Sequence, residues 1–425
     1  MTFSITKKAA LPLCFAAAGL LFDSRADAAG FQLTDFSMTG LGRSYAGAGV
    51  VGDDYSAIGF NPAGMTLKGT GAQAGAAVIW QHGEVKGSAD KAGSRASGKE
   101  RVSIPVAVPN LFAQYKINDD FRFGLGVYAP FGLATEYPKH WFGSDLAVDS
   151  ELEVIDVAPA LSYRLNDHFS FGAALIARWG RVKMTNTSYG AGFSDFDIDG
   201  WGYYGRFGVM YEADENTRFG LSYQTKSTEV EHTLKGDHVL EGITPLAGNH
   251  VGGTVTRLPE HWLLSGYHRR GDFGYSASIR RTQWQNFNEF TLTSSSPLGY
   301  HTSYYKWENT WTVALGVDWY YNDSWTWRAG VSYDESPVPG SAYRTVRIPD
   351  NDRYWISAGF TYKINENVKM DVGYAHLYLP TYKARNGASS TALPPAMGGG
   401  YTEKYVDAKY DVNAEILGVQ FQYDF

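Results

Sequence analysis

Hydrolysis at a lipid surface would need a serine nucleophile beside a histidine base, and this sequence holds the residue types without the arrangement. Ten histidines are scattered along 425 residues, yet no Gly-x-Ser-x-Gly elbow occurs. His261 and His268 have no second ligand at metal-binding spacing, so they read as hydrogen-bonding groups at an interface or in a lumen. The single cysteine, Cys14, lies in an apolar leader, which leaves the exported chain without disulfides or thiolate metal sites. Gly40-Leu41-Gly42 is no dinucleotide fingerprint: Tyr45 stands where a third glycine belongs, and no strand precedes it. Binding and passage are expected, with no enzyme activity, cofactor or metal. A lipase using a Ser–His pair on adjacent strands stays as a rival reading.

What such a chain passes through is set by the elements that carry these residues. Lys7 and Lys8 form a basic start, and Ala9 to Phe22 an apolar stretch. Ala26-Asp27-Ala28 then puts small residues at both positions read by a signal peptidase. Residues 1–28 are therefore expected to be a cleaved signal peptide. Their loss removes three basic residues (Lys7, Lys8, Arg25) and two acidic ones (Asp23, Asp27), taking the net charge from −7 to −8 and arguing against a nucleic-acid partner.

The rest is glycine-rich and 15% aromatic, with a mean hydropathy of −0.29. It has no second apolar run of about 18 residues, so helical spans are excluded. Alternation takes their place. Ile155, Val157, Pro159, Leu161, Tyr163 and Leu165 fall on one face, with Asp156, Ala158, Ala160, Ser162 and Arg164 on the other. The same period recurs from Phe169 to Trp179 and from Trp311 to Tyr321. Runs of roughly 10 residues with period two suit a tilted strand crossing hydrocarbon. Turn signals stand at Asn118-Asp119, Asn166-Asp167, Asp214-Glu215-Asn216, Arg270-Gly271-Asp272, Asn322-Asp323 and Asn365-Glu366, roughly 43–55 residues apart. One long polar or Gly-rich connection lies between each consecutive pair, which is the meander of a transmembrane barrel. Six turns join twelve strands; one more precedes them near Gly71 to Trp80, and one follows from Asp411 to Phe425.

The expected fold is all-β: a fourteen-stranded antiparallel transmembrane β-barrel over residues 71–425, multi-pass in the outer membrane of a Gram-negative bacterium. Leu417, Val419, Phe421, Tyr423 and Phe425 share one face of the last strand. That terminal aromatic resembles the signal read by the barrel assembly machinery. A closed barrel has no free edge, so a monomer in contact with outer-membrane lipid is expected.

Residues 29–70 do not alternate. They are small, Gly-rich and mildly apolar, too apolar for a disordered tail, and fit a compact plug inside the lumen. Ala29-Gly30-Phe31-Gln32-Leu33, Gly40-Leu41-Gly42-Arg43 and Asn61-Pro62-Ala63 resemble the hatch of the FadL family of outer-membrane transporters for long-chain fatty acids. Further similar motifs are Phe131-Gly132-Leu133-Ala134-Thr135-Glu136, Asp334-Glu335-Ser336-Pro337-Val338-Pro339 and Ile348-Pro349-Asp350-Asn351-Asp352-Arg353-Tyr354-Trp355. The resemblance implies a fourteen-stranded barrel plugged by an N-terminal hatch, in agreement with the strand count.

The third strand carries Pro130, which removes a ladder donor, and Gly132, which allows an inward bend. The resemblance implies a kink at Gly132 that opens the wall toward lipid. The expected function is passive uptake of hydrophobic molecules, foremost long-chain fatty acids. They would bind in an apolar lumen pocket, the hatch would shift around Phe31, and they would leave sideways beside Gly132. Asn61-Pro62-Ala63 is expected as the hatch element near that opening, and Asp334 and Arg353 as anchors of the hatch.

For a carboxylate headgroup the candidates are Arg178, on the lumen-facing parity, then Arg181 and Lys183 near the loop end. Where the resemblance implies an arginine this chain has Asn186, and Lys306 is nearest to a second implied cation. These departures keep open a channel for monoaromatic hydrocarbons. A general porin is a further rival and would lack the plug. The intact mass of protein purified from outer membranes should correspond to a chain starting at Ala29; a mass retaining residues 1–28 would contradict the leader assignment.

Overall fold

A strand that meets lipid on one side and the lumen on the other must alternate, and its backbone must be paired throughout. The computed structural model describes residues 30–425 apart from 92–93, 189–191, 227–231, 243–246, 298, 386–388, 393–400 and 404. The expected leader with its cleavage site, and Cys14, lie outside the described residues.

Fourteen antiparallel strands close into one barrel. They are β1 (Gly71–Lys91), β2 (Ser94–Lys116), β3 (Phe121–Glu136), β4 (Asp149–Arg164), β5 (Phe169–Ser188) and β6 (Gly192–Glu212). Next come β7 (Thr217–Gln224, resumed as His232–Glu241), β8 (Gly248–Thr256, then His261–Arg270) and β9 (Phe273–Thr282, then Glu289–Ser294). The last are β10 (Tyr300–Tyr304, then Thr310–Tyr320), β11 (Trp325–Asp334), β12 (Arg353–Lys363), β13 (Val368–Tyr378, then Tyr382–Ala384) and β14 (Val406–Asp424). The ring closes where β1 pairs with β14, Gly71 opposite Asp424, and the amide of Phe425 donates to Thr70 at 3.0 Å.

Four of the six short turns share one device. The side-chain oxygen of Asn166 accepts from the backbone of His168 and Phe169 at 2.9 and 2.8 Å. Asn118, Asn322 and Asn365 repeat the pattern, so the asparagine substitutes for the turn's missing backbone partner. Alternation sorts the faces as the pattern requires: Phe169, Phe171 and Leu175 lie exposed to lipid, while Ser170, Ala174, Ile176 and Arg178 are buried toward the lumen.

The lumen is filled by the N-terminal segment, which forms a hatch. It contains α1 (Met38–Leu41), capped by the Ser37 hydroxyl, α2 (Ala57–Phe60) and a 3-10 turn (Pro62–Leu67). Its body is tied to the wall by a quartet of charges, three of them buried and Asp53 partly so. Arg43 contacts Asp53 at 2.6 Å within the hatch and Asp318 of β10 at 2.9 Å. Arg328 of β11 closes the ring, 3.0 Å from Asp53 and 3.2 Å from Asp318. Burial alone would raise the Asp53 carboxyl, but Arg43 and Arg328 hold it well below the usual carboxylate range.

Close approach is needed as well: a Cβ at Gly330 would stand 2.2 Å from the Arg43 carbonyl carbon. Replacing Asp318 by alanine leaves two buried guanidiniums sharing one carboxylate, a loss of about 3–5 kcal/mol. Amide exchange across residues 38–56 should then speed at least about tenfold while that of the strands stays unchanged. Unchanged exchange in the hatch would show that the quartet does not hold it.

Candidate functional site

The wall is incomplete at one place. From Lys116–Arg122 to Asn110–Tyr128, β2 and β3 are paired in register; beyond Tyr128 no pairing between them continues among the described residues. The rest of β2, back to Ser94, is held by β1 alone. On its other side β3 keeps β4, with a register shift between Tyr128 and Phe131 where Pro130 interrupts the ladder. Burial records the bend. Alternation stops at Tyr128, and every residue from there to Thr135 is buried.

Into the vacated side of β3 comes the start of the hatch. The Leu33 amide donates to the Pro130 carbonyl at 2.8 Å, and the Gly132 amide donates to the Phe31 carbonyl at 2.9 Å. Gln32 and Phe131 are thus antiparallel partners. Three residues of the plug act as a short substitute strand at the break.

Phe31 projects from this strand into an aromatic cage. Its ring lies 4.9 Å from Trp284, 5.1 Å from Phe287, 5.5 Å from Trp307 and 6.0 Å from Phe131. Leu133, Val154, Val182, Ile198 and Leu234 belong to the same buried apolar cluster. The indole N–H groups of Trp284 and Trp307 are buried without an acceptor among the described residues.

Arg353 and Asp334 reach the hatch unequally. Arg353 ion-pairs with Asp350, and Asp350 accepts the Gly30 amide at 3.0 Å and the Ser336 hydroxyl at 2.6 Å. Burial pushes the Asp350 carboxyl up in spite of Arg353. Asp334 accepts from Thr312 at 2.6 Å and lies 3.8 Å from Arg353, so it acts on Gly30 only through that neighbour.

Asn61-Pro62-Ala63 does not border the break. Asn61 donates to the Val209 carbonyl at 3.1 Å, and the turn sits in a hollow formed by glycines of β5 and β6. A Cβ at Gly208 would fall 1.9 Å from the Asn61 side-chain oxygen, and one at Gly172 would fall 2.3 Å from Pro62. Small residues on the wall therefore draw the turn several strands away from β3.

The four cations named for a headgroup are not brought together. Arg178 faces the lumen beside the break, 4.8 Å from the Phe131 ring, but two hydrogen bonds of 2.7 and 2.9 Å commit it to Asp156. Arg181 and Lys183 fall on the opposite parity, outside the wall, and Arg181 pairs with Asp197 at 2.6 Å. Lys306 is an exposed loop residue at positive φ, donating to the Tyr343 hydroxyl at 3.1 Å.

A different cation lies at the rim of the cage. Arg347, in the loop between β11 and β12 and next to Ile348 of the same apolar cluster, donates to Ser150 at 3.0 Å, to Asn186 at 3.1 Å and to the Asp149 and Thr185 carbonyls at 3.1 and 3.3 Å. Burial lowers it to about 10, and it has no carboxylate within ion-pair distance among the described residues. Its guanidinium therefore lies against Asn186, the position at which the resemblance implied an arginine. No periodicity marks a residue in an irregular loop, so only its position beside the Ile348–Trp355 motif could have pointed to it.

Residues 19–425 match the model of a family described as outer membrane protein transport protein (OMPP1/FadL/TodX). A long-chain fatty acid transport protein of Escherichia coli is 32% identical over 89% of this chain and 93% of its own. A Pseudomonas aeruginosa FadL homologue superposes with a TM-score of 0.80 at 24% identity, covering 93% of this chain and 100% of that one. The Ralstonia pickettii toluene transporter TbuX does so at 0.66 and 19% identity, over 92% and 99%. These two structures speak for the fold.

Proposed function

This chain belongs to the outer membrane protein transport family (OMPP1/FadL/TodX), whose members take up hydrophobic substrates across the outer membrane, and we propose that its own substrates are long-chain fatty acids released sideways through the break beside β3. The observation that carries the reading is the substitution of Phe31–Leu33 for β2 at Pro130–Gly132.

An apolar molecule gains about 0.8 kcal/mol for each methylene it buries, so an acyl chain outcompetes the packing of one phenylalanine ring in the cage. Displacing Phe31 from the cage pulls Leu33 and Gln32 from β3 along with it. The plug and the side wall thereby open in one movement. The body of the hatch, held by the charge quartet, blocks the straight route, and the substrate moves into lipid between β2 and β3. Arg347 and the two indole N–H groups supply a cation and donors for a carboxylate at the cage. Residues 29–70 act as the hatch, with Asn61-Pro62-Ala63 as its wall anchor and the Arg353–Asp350 pair holding its first residues. Passage needs no reaction, and a single closed barrel serves as the working unit.

Uptake of neutral monoaromatic hydrocarbons is the second reading, and one observation favours it: Arg178, the lumen-facing cation beside the break, is neutralised by Asp156.

The break itself is tested by Gly132→Val, which adds an isopropyl group where β3 turns inward. With assembly verified by heat-modifiable electrophoretic mobility, uptake of radiolabelled oleate should fall at least about tenfold, to the level of cells lacking the protein. Uptake at the wild-type rate would refute sideways release.

A further inference from the structure

On β9, four residues nearer the short turns than Trp284 of the cage, Arg280 faces a cavity between hatch and wall. Arg280 lies near the end of the Phe273–Thr282 stretch, and Trp284 opens the 3-10 turn that follows it, so the cavity and the cage are neighbours along the same wall element. The cavity is lined by Gln32, Thr34 and Tyr45 of the hatch and by Arg280, Asp334 and Trp355 of the wall. Gln32 is the residue after Phe31, and its side chain accepts the Thr282 hydroxyl at 3.1 Å. The short strand that seals β3 therefore also separates the cage from this cavity.

The lumen-facing arginines are otherwise committed. Arg43 and Arg328 hold Asp53 and Asp318, Arg178 holds Asp156, and Arg206 donates to the Ile58 carbonyl, the Tyr128 hydroxyl and Gln224. Arg280 has no hydrogen bond or ion pair with any described residue, and its Nε is buried without a partner. Asp334 and Asp35 attract it from beyond contact distance. Each is engaged elsewhere, Asp334 with Thr312 and Arg353, Asp35 with the Tyr45 hydroxyl at 2.9 Å. A guanidinium kept inside a partly apolar cavity, with its fork of donors unused, is poised for an anion that is not part of the chain. Phe60, Leu263, Ala314 and Trp355 form the apolar side of that small cavity, which widens toward the cage only once Gln32 is displaced.

We propose that Arg280 is a carboxylate station on the uptake path, reached when Phe31–Leu33 swing aside, and that it selects fatty acid anions over neutral hydrocarbons. This rests on the uptake function proposed above. A carboxylate passing from the cage sets both oxygens on the guanidinium fork while its chain still occupies the cage. A neutral molecule gains nothing there.

Protein reconstituted in liposomes separates the two ideas, with radiolabelled oleate and methyl oleate as probes. Wild type should take up oleate faster than its ester. Arg280→Met should slow oleate at least about tenfold, the loss of a charge-assisted contact, and leave methyl oleate within about twofold. Arg280→Lys, which keeps the charge, should retain most of the oleate rate and guards against a folding defect. An unchanged oleate rate in Arg280→Met, or equal slowing of both probes, overturns the station while leaving the uptake function standing. A wild-type protein that moves neither probe overturns both.

Discussion

Backbone amides and carbonyls inside a membrane must find partners, and β3 loses half of its partners beyond Tyr128. In hydrocarbon each unsatisfied group costs several kcal/mol, so a gap in a barrel wall cannot simply be left open. The chain satisfies this constraint with its own first described residues. Leu33 and Phe31 supply one donor and one acceptor to Pro130 and Gly132, and the Phe31 ring fills the cage alongside. Seal and plug are therefore one element. Any ligand that replaces Phe31 acts on the wall at the same time, with no separate coupling device.

The strength of attachment is graded along the hatch. Its body is held by four paired charges, three of them buried, and by contacts close enough to require glycine on the wall. Its start is held by two backbone hydrogen bonds to β3, one from the Gly30 amide to the Asp350 carboxylate, one from the Thr282 hydroxyl to Gln32, and ring packing. Net hydrogen bonds of about 1 kcal/mol each make that end the part that yields first. A rigid body with a detachable end suits a transporter that must keep ions out while releasing a lipid sideways.

Much of this was legible in the sequence. Strand count, faces and short turns followed from period-two alternation and from asparagines at the turns, because lipid and lumen impose opposite polarities on neighbouring residues. Pro130 and Gly132 marked the interrupted ladder for the same reason: a proline in mid-strand has no donor. Parity also placed Arg178 in the lumen, and the same count, carried three and five residues further, would have put Arg181 and Lys183 outside. What alternation does not encode is register across strands. Asp156 lies directly opposite Arg178 on β4 and neutralises it, and the glycines that receive Asn61-Pro62-Ala63 come from different strands. Arg347 and Asp350 sit in a loop without periodicity, so their meeting with Asn186 and Gly30 depends on closure of the whole barrel.

The central claim, that the first residues of the hatch are the movable piece of the wall, is tested most directly by locking them to it. Cysteines at Gln32 and Phe131, the antiparallel partners at the break, can be joined by oxidation and released by a reductant. With the link formed, oleate uptake should fall at least about tenfold below that of the same double variant kept reduced, and recover when reductant is added. Undiminished uptake by the fully cross-linked protein would contradict the account.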